Sequence, residues 1–173
     1  AEFFGDHMVV NGFIWPKENV EPRNYRLHLL NGTDSRFMGI RFRAVGAGET
    51  DFTNDDPLLD FTVIGSDQGL AEEATITNLL LSEPGSRYDI VLDFKGLQGK
   101  RVIMENIGGD APFGGDLCDP IVLGEDGIAG AVEDGDLFED RQTDRIMAFD
   151  VEDVADLGGY FDDSVIDFIS DVP

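Results

Sequence analysis

The chain has 173 residues, of which 42% are hydrophobic, so it can bury a core as one domain and is too apolar to stay disordered. Its formal net charge of −24 argues against nucleic acid and anionic membranes as partners, because both would repel it, and no apolar run approaches the roughly 20 residues of a membrane helix. Cys118 is the single cysteine, which excludes an intrachain disulfide.

The first predicted elements are short strands separated by turn signals. The segment "HMVVNGFIWP" places Asn11-Gly12 between two apolar runs, which predicts a hairpin. In "YRLHLLNGT", Tyr25, Leu27 and Leu29 alternate with polar residues, which is the period of a half-buried strand. The segments "FMGIRFRAV" and "DFTVIGSDQGL" predict one strand each, the second closed by a glycine-containing turn.

The later elements continue the same pattern and fix the fold class. The segment "ATITNLLLSEPGSRYDIVLDF" predicts two strands around Pro84-Gly85, and "KRVIMENI" and "DRIMAFDV" predict two more. Because no long 3.6-residue period competes with these strands, the sequence predicts an all-β sandwich or barrel. Residues 160 to 169 form a weak helical candidate or, alternatively, a linker lying on a neighbouring domain. Residues 44 to 60 and 124 to 144 are predicted loops with few packing residues.

The sequence lacks the ligands of a copper centre. A blue copper site needs a cysteine thiolate and two histidines, often with an axial methionine. No histidine follows Cys118, and His7 and His28 are the only two histidines. We therefore expect no copper in this chain, with Cys118 as a small apolar filler, and the same ligand count excludes a structural zinc site.

One acidic loop is a candidate for calcium. Its carboxylates supply hard oxygen ligands at high density, although the EF-hand spacing is absent; they are Glu133, Asp134, Asp136, Glu139 and Asp140. A solvated acidic loop is the simpler interpretation. The charge of the whole chain has two interpretations as well, either adaptation to high salt or an ordinary acidic protein. No nucleophile elbow or phosphate loop appears, and nothing in the sequence supports a hydrolase.

Several segments, taken in order, resemble one family. The opening stretch from "GDHMVVNGFIWPKENVEPRNYRLHLLNGTDSRF" onward is similar to the second cupredoxin domain of three-domain multicopper oxidases, of the bilirubin oxidase and bacterial spore-coat laccase type. The resemblance continues through "FTVIGSDQGL", "LLLSEPGSRYDIVLDF", "VIMENI", the Gly-Gly-Asp at Gly114 to Asp116, and "DRIMAFDV". It implies a cupredoxin-like Greek-key β-sandwich with short helical segments over residues 1 to 151, and a linker to an absent third domain over residues 152 to 173.

The resemblance also implies a role for the chain. In this family the outer domains hold the copper, and the middle domain spaces them and lines part of the substrate pocket. The pocket candidates carried over are Ala1, Glu2, Phe4, Pro112, Phe113 and Gly114. The equal alternative for Phe4 and Phe113 is that they are packing residues, because apolar pocket walls and core look alike in sequence. The expected partners are the first and third domains and a small reducing substrate. The expected location is extracellular, periplasmic or at the cell surface. The opening stretch is expected to be scaffold. Ala1 in place of methionine is consistent with a piece of a longer chain. The alternative is a free-standing cupredoxin-like module that binds calcium or a protein through its acidic loops.

Overall fold

The computed structural model describes residues 3–5, 7–108 and 143–154, and these form eleven strands and no helix. The strands are β1 (Val9–Val10), β2 (Phe13–Ile14), β3 (Lys17–Val20), β4 (Asn24–Leu30), β5 (Met38–Val45), β6 (Phe61–Ser66), β7 (Gly69–Thr77), β8 (Leu80–Ser82), β9 (Arg87–Asp93), β10 (Arg101–Asn106) and β11 (Arg145–Val151). The all-β prediction is confirmed. The helical candidate at residues 160 to 169 lies outside the described residues and stays a prediction. In the described part of the chain no helix could cross a membrane.

Two larger sheets and one small hairpin contain all of these strands. The five-stranded sheet has the order β3-β11-β10-β5-β8, and the four-stranded sheet has the order β4-β9-β6-β7. Their pairs are antiparallel except for β3 and β11, which run parallel. A mixed sheet packed on a second sheet agrees with the cupredoxin-like sandwich that the sequence predicts.

The core lies between the two sheets because the alternating apolar residues of both face inward. Phe42, Val102 and Phe149 of the five-stranded sheet meet Ile90 and Leu92 of the four-stranded sheet in one buried cluster. Phe42 contacts Phe61 edge to face at 5.3 Å between ring centroids. Burial of large apolar side chains at such a centre is the main stabilising contribution to a sandwich of this size.

Turn residues set the ends of the strands as the sequence predicts. Asn11 and Gly12 have φ angles of 50° and 89°, as a type I′ turn requires, and they join β1 to β2. Gly85, with φ of 85°, closes the turn before β9. The strand β11 ends at Val151, where the sequence places the end of the domain. The domain boundary and the linker of residues 152 to 173 remain predictions.

Candidate functional site

Only one of the predicted pocket residues lies in the described part of the chain. Phe4 is half-buried, and the guanidinium of Arg36 lies 5.6 Å from its ring centroid, within the range of a cation–π contact. Arg36 also donates a hydrogen bond to the carbonyl of Gly5, so it fixes the segment that carries Phe4. Ala1, Glu2, Pro112, Phe113 and Gly114 lie outside the described residues, so the proposed pocket wall stays a prediction.

The two histidines lie on different elements, and each has its own neighbours. His7 stacks on Trp15 at 4.9 Å between ring centroids, next to the β1–β2 hairpin. His28 lies on the exposed side of β4, where its Nδ1 contacts a carboxylate oxygen of Asp89 on β9. Burial raises the pKa of Asp89, but its hydrogen bonds to Arg26 and His28 outweigh this and lower it.

These histidines do not fit a copper centre. Within the described residues no group of three or more His, Cys, Asp or Glu side chains could hold a metal ion. Cys118 and the five calcium candidates, Glu133, Asp134, Asp136, Glu139 and Asp140, lie outside the described residues, so the calcium interpretation remains untested.

The most densely connected polar region is the outer face of the five-stranded sheet. Arg43 on β5 and Glu105 on β10 form a salt bridge of 2.8 Å with each side chain 3% exposed. Nη1 of Arg43 donates to the carbonyls of both Thr53 and Asp56 in the loop of residues 46–60. Burial raises the pKa of Glu105 despite the opposing effect of Arg43, because the charged form loses its hydration. A buried pair of this kind fixes the loop on the sheet, and removing one partner leaves a buried charge.

Phe52 anchors the same loop and corrects one expectation from the sequence. Residues 44 to 60 were predicted to contribute few packing residues, but Phe52 is 6% exposed and packs with Val45 and Ile103 in a second apolar cluster. The guanidinium carbons of Arg43 and Arg145 lie 5.7 and 5.3 Å from its ring centroid. The prediction that this segment packs little is therefore wrong, because the outer face of the sheet is apolar at Ile103 and needs a cover.

A second ion-pair group extends this face to the sheet edge. Asp150 on β11 accepts hydrogen bonds from Nε of Arg101 at 2.6 Å and from Lys17 at 2.7 Å. The bond to Arg101 is the chief reason that the pKa of Asp150 falls to about 2. Arg101 also donates to the carbonyl of Glu49, so it binds the start of the 46–60 loop as Arg43 binds its end.

A pocket of about 250 Å³ opens between this ion-pair group, the loop and the end of the hairpin. Its apolar lining consists of Trp15, Pro16, Ile103, Met147 and Ala148, and its charged lining includes Lys17, Arg101 and Arg145. Burial opposes the charged form of Arg145, but its hydrogen bonds to Asp144 outweigh this and raise its pKa. Trp15 has a φ of 41°, a backbone conformation that residues other than glycine seldom adopt.

Sequence reasoning missed this pocket because no single segment contains it. The alternation of Arg41 and Arg43 in "GIRFRAV" was visible, but it does not say which other strands lie alongside. Arg101 and Asp150 are opposite each other only through the register of β10 and β11. The conspicuous signal was the tryptophan itself, which is the only one in the chain.

The chain is similar to known proteins along most of its length. It is 36% identical over 151 residues to a bilirubin oxidase of Albifimbria verrucaria and 34% identical over 115 residues to a laccase of Bacillus subtilis; these matches cover 87% and 66% of this chain. The chain belongs to the multicopper oxidases. It spans 22% of the bilirubin oxidase and 19% of the laccase, about a fifth of the length of the relatives. No family model matches it.

Solved multicopper oxidases have the same fold over one region. A variant of the multicopper oxidase McoA from Aquifex aeolicus superposes with a TM-score of 0.59 at 24% identity, covering 87% of this chain and 26% of that one. The shared fold is a cupredoxin-like domain, as the sequence predicts. The relatives contain further chain beyond the matched region, so the matched region is one domain of a multidomain protein.

Proposed function

We propose that the chain is the second domain of a three-domain multicopper oxidase and that it holds none of the copper ions itself. The observation that carries this proposal is the number and placement of its ligands. A chain that is 36% identical to a bilirubin oxidase has only two histidines, and these lie on the hairpin end and on β4 with different neighbours. A blue copper site needs two histidines and a cysteine that converge on one point.

The parent enzyme would oxidise phenols, pigments or a reduced metal. Copper held by its other domains would supply the redox chemistry, in which four electrons and four protons convert one dioxygen to two waters. In this scheme the present chain positions the flanking domains and provides part of the substrate-pocket wall. Phe4 is its described candidate for that wall. We place the parent outside the cytoplasm, in line with the resemblance. The alternative of a free-standing calcium-binding or protein-binding module is not favoured, since the matched relatives are multicopper oxidases of about five times the matched length.

The metal content of the purified chain tests the proposal directly. The chain is incubated with Cu²⁺, Ca²⁺ and Mn²⁺ and desalted, and the retained metal is counted by inductively coupled plasma mass spectrometry. We expect no retained copper and no blue absorption band. One copper per chain with a blue band would refute the proposal, and retained calcium alone would favour the acidic-loop alternative.

The pocket-wall role needs the parent enzyme. A Phe4→Ala substitution is expected to raise KM for the reducing substrate and leave the copper content unchanged, because the side chain would contact substrate rather than metal. A matched Leu70→Ala variant serves as control, since Leu70 is 65% exposed on β7 of the other sheet. An unchanged KM in Phe4→Ala would remove Phe4 from the pocket wall.

A further inference from the structure

The outer face of the five-stranded sheet concentrates the positive charge of an acidic protein. Five of the twelve Lys and Arg residues lie on it, namely Lys17, Arg41, Arg43, Arg101 and Arg145. Within the described residues their salt-bridge partners are four carboxylates, Asp51, Glu105, Asp144 and Asp150. We call these nine side chains the balanced face. Its five positive and four negative groups nearly cancel, so the whole negative excess of the chain lies outside these nine side chains.

A neutral face matters for association because like charges oppose contact. Another domain of equally acidic composition would be repelled by most of this surface, at a cost that increases as solvent is excluded. The nearly cancelling charges of the balanced face reduce that repulsion.

The balanced face also contains an unused hydrogen-bond donor. Nε of Arg41 is buried and has no hydrogen-bond partner among the described residues. Arg41 is opposite Glu105 in the register of β5 and β10, and Glu105 is opposite Arg145 in that of β10 and β11. Arg41 therefore lies two strands, or roughly 10 Å, from a residue that lines the pocket. A buried donor without a partner destabilises this part of the sheet.

Exposed apolar side chains adjoin the same pocket. The β1–β2 hairpin leads directly into Trp15 and Pro16 of the pocket lining, and its Val9, Phe13 and Ile14 are 61%, 69% and 56% exposed. Trp15 packs on the core with one part of its surface and lines the pocket with another. Exposed apolar side chains on a hairpin that leads into a pocket are typical of a protein interface.

We propose that the balanced face and the β1–β2 hairpin bind a neighbouring domain of the same multicopper oxidase, and that the pocket beside Trp15 receives one apolar side chain of that domain. This inference depends on the proposed function, because it needs a parent protein with further domains. A neighbouring domain is the expected binding partner because the relatives have about four-fifths of their length outside the region that this chain matches. A volume of about 250 Å³ suits a single large side chain better than a free ligand, since ligand pockets usually hold about 300–1,000 Å³.

A covalently attached domain does not need a large interface. Linkage gives an effective concentration of about millimolar, so a single well-buried side chain decides whether the domains stay together. A larger side chain introduced at a pocket-lining position of this chain should fill the pocket and therefore release the neighbouring domain. Ala148 lies on the pocket lining, and the matched control position is Ala71, which is exposed on β7 of the other sheet.

The first experiment compares hydroxyl-radical oxidation of the parent enzyme and of the isolated 173-residue chain. We expect the peptides with Phe13 and Trp15 to be oxidised several-fold more slowly in the parent, and the peptide with Leu70 on β7 to be oxidised equally in both. Equal oxidation of Trp15 in the two proteins would overturn the docking proposal. Monomeric behaviour of the isolated chain is checked by sedimentation, and a dimer that Ala148→Leu abolishes would assign the face to a second copy instead.

The second experiment introduces Ala148→Leu and its control Ala71→Leu into the parent enzyme. Ala148→Leu is expected to speed proteolytic separation of the domains about tenfold or more, because loss of one anchor side chain usually weakens an interface by at least that factor. Ala71→Leu is expected to leave the rate of separation unchanged. The thermal midpoints of both variants of the isolated chain show whether a substitution affects folding as well as docking. If Ala148→Leu lowers the midpoint of the isolated chain, the oxidation experiment alone tests the docking. A reading frame without copper-binding domains would refute the proposed function as well, whereas a copper-loaded parent with unchanged proteolysis and oxidation would refute only the docking.

Discussion

Replacing Phe52 by alanine should detach the 46–60 loop from the outer face of the five-stranded sheet. The ring is 6% exposed, contacts Val45 and Ile103, and lies between the guanidinium groups of Arg43 and Arg145. A phenylalanine of this kind buries about 150–250 Å², which corresponds to roughly 4–6 kcal/mol and is an upper bound because unfolded chains are partly compact. Since a surface loop relaxes more readily than the centre of a sandwich, we expect a loss of about 3 kcal/mol.

The two cation–π contacts can be separated from the burial. Phe52→Leu keeps most of the apolar surface but removes the aromatic ring, so it should cost about 1–2 kcal/mol, as two contacts with partly desolvated arginines suggest. Urea unfolding followed by circular dichroism measures both variants, and their m-values should equal that of the original chain. Phe13→Ala provides the control, because an exposed side chain should change stability by less than about 0.5 kcal/mol.

The site of the damage gives an independent check. If the loop detaches before the sheets separate, amide hydrogen exchange of residues 46–60 will accelerate in Phe52→Ala while exchange in β10 stays slow. A loss below about 1 kcal/mol, or equal losses for the alanine and leucine variants, would refute the assignment of Phe52 as an anchor between two guanidinium groups.

Three further predictions concern other parts of the molecule. Asn31→Ala should cost about 2–4 kcal/mol in urea unfolding, because the buried amide donates to the carbonyls of Arg36 and Ser82, and a loss no larger than that of the exposed control Asn19→Ala would contradict this. The lowered pKa of Asp150 should add about 1–2 kcal/mol to the free energy of unfolding at pH values above its ordinary pKa of 3.8, and this contribution should be lost as the pH falls towards about 2. Asp150→Asn should therefore make the free energy of unfolding depend less on pH in the acid range. An unchanged pH dependence would count against this assignment. The thermal midpoint should rise from dilute buffer to molar KCl because screening weakens repulsion among 24 excess negative charges. A flat response in KCl would rule this out even where sulfate raises the midpoint, because sulfate also strengthens apolar burial.

The strands could be predicted from the sequence because their causes are local. Alternation of Tyr25, Leu27 and Leu29 with polar residues places one face of β4 on the core, and the Asn11-Gly12 turn needs only its own backbone geometry. The pairing of Glu21 with Arg23 is equally local, and their side chains form an exposed ion pair at 3.0 Å.

The candidate site could not be predicted in the same way because its residues meet only through long-range pairing. Arg43 reaches Glu105 across 62 residues, and Arg101 reaches Asp150 across 49. The sequence does not indicate which carboxylate pairs with which arginine, because any arginine has many possible partners among 36 Asp and Glu residues. The topology β3-β11-β10-β5 selects the actual partners, and it places all of these side chains on one side of the sheet.

The balanced face connects the stability of this domain with its assembly. At about 1 M salt the Debye length shrinks to roughly 3 Å, so exposed pairs such as Lys17 with Asp150 weaken, whereas the buried pair of Arg43 with Glu105 is screened much less. Salts that strengthen apolar burial would at the same time favour insertion of a side chain beside Trp15. High salt should therefore stabilise the sandwich by reducing repulsion and stabilise the docked parent by strengthening the apolar contact. If salt raised the midpoint of the isolated chain but loosened the parent, the contact between domains would depend on exposed ion pairs rather than on the pocket.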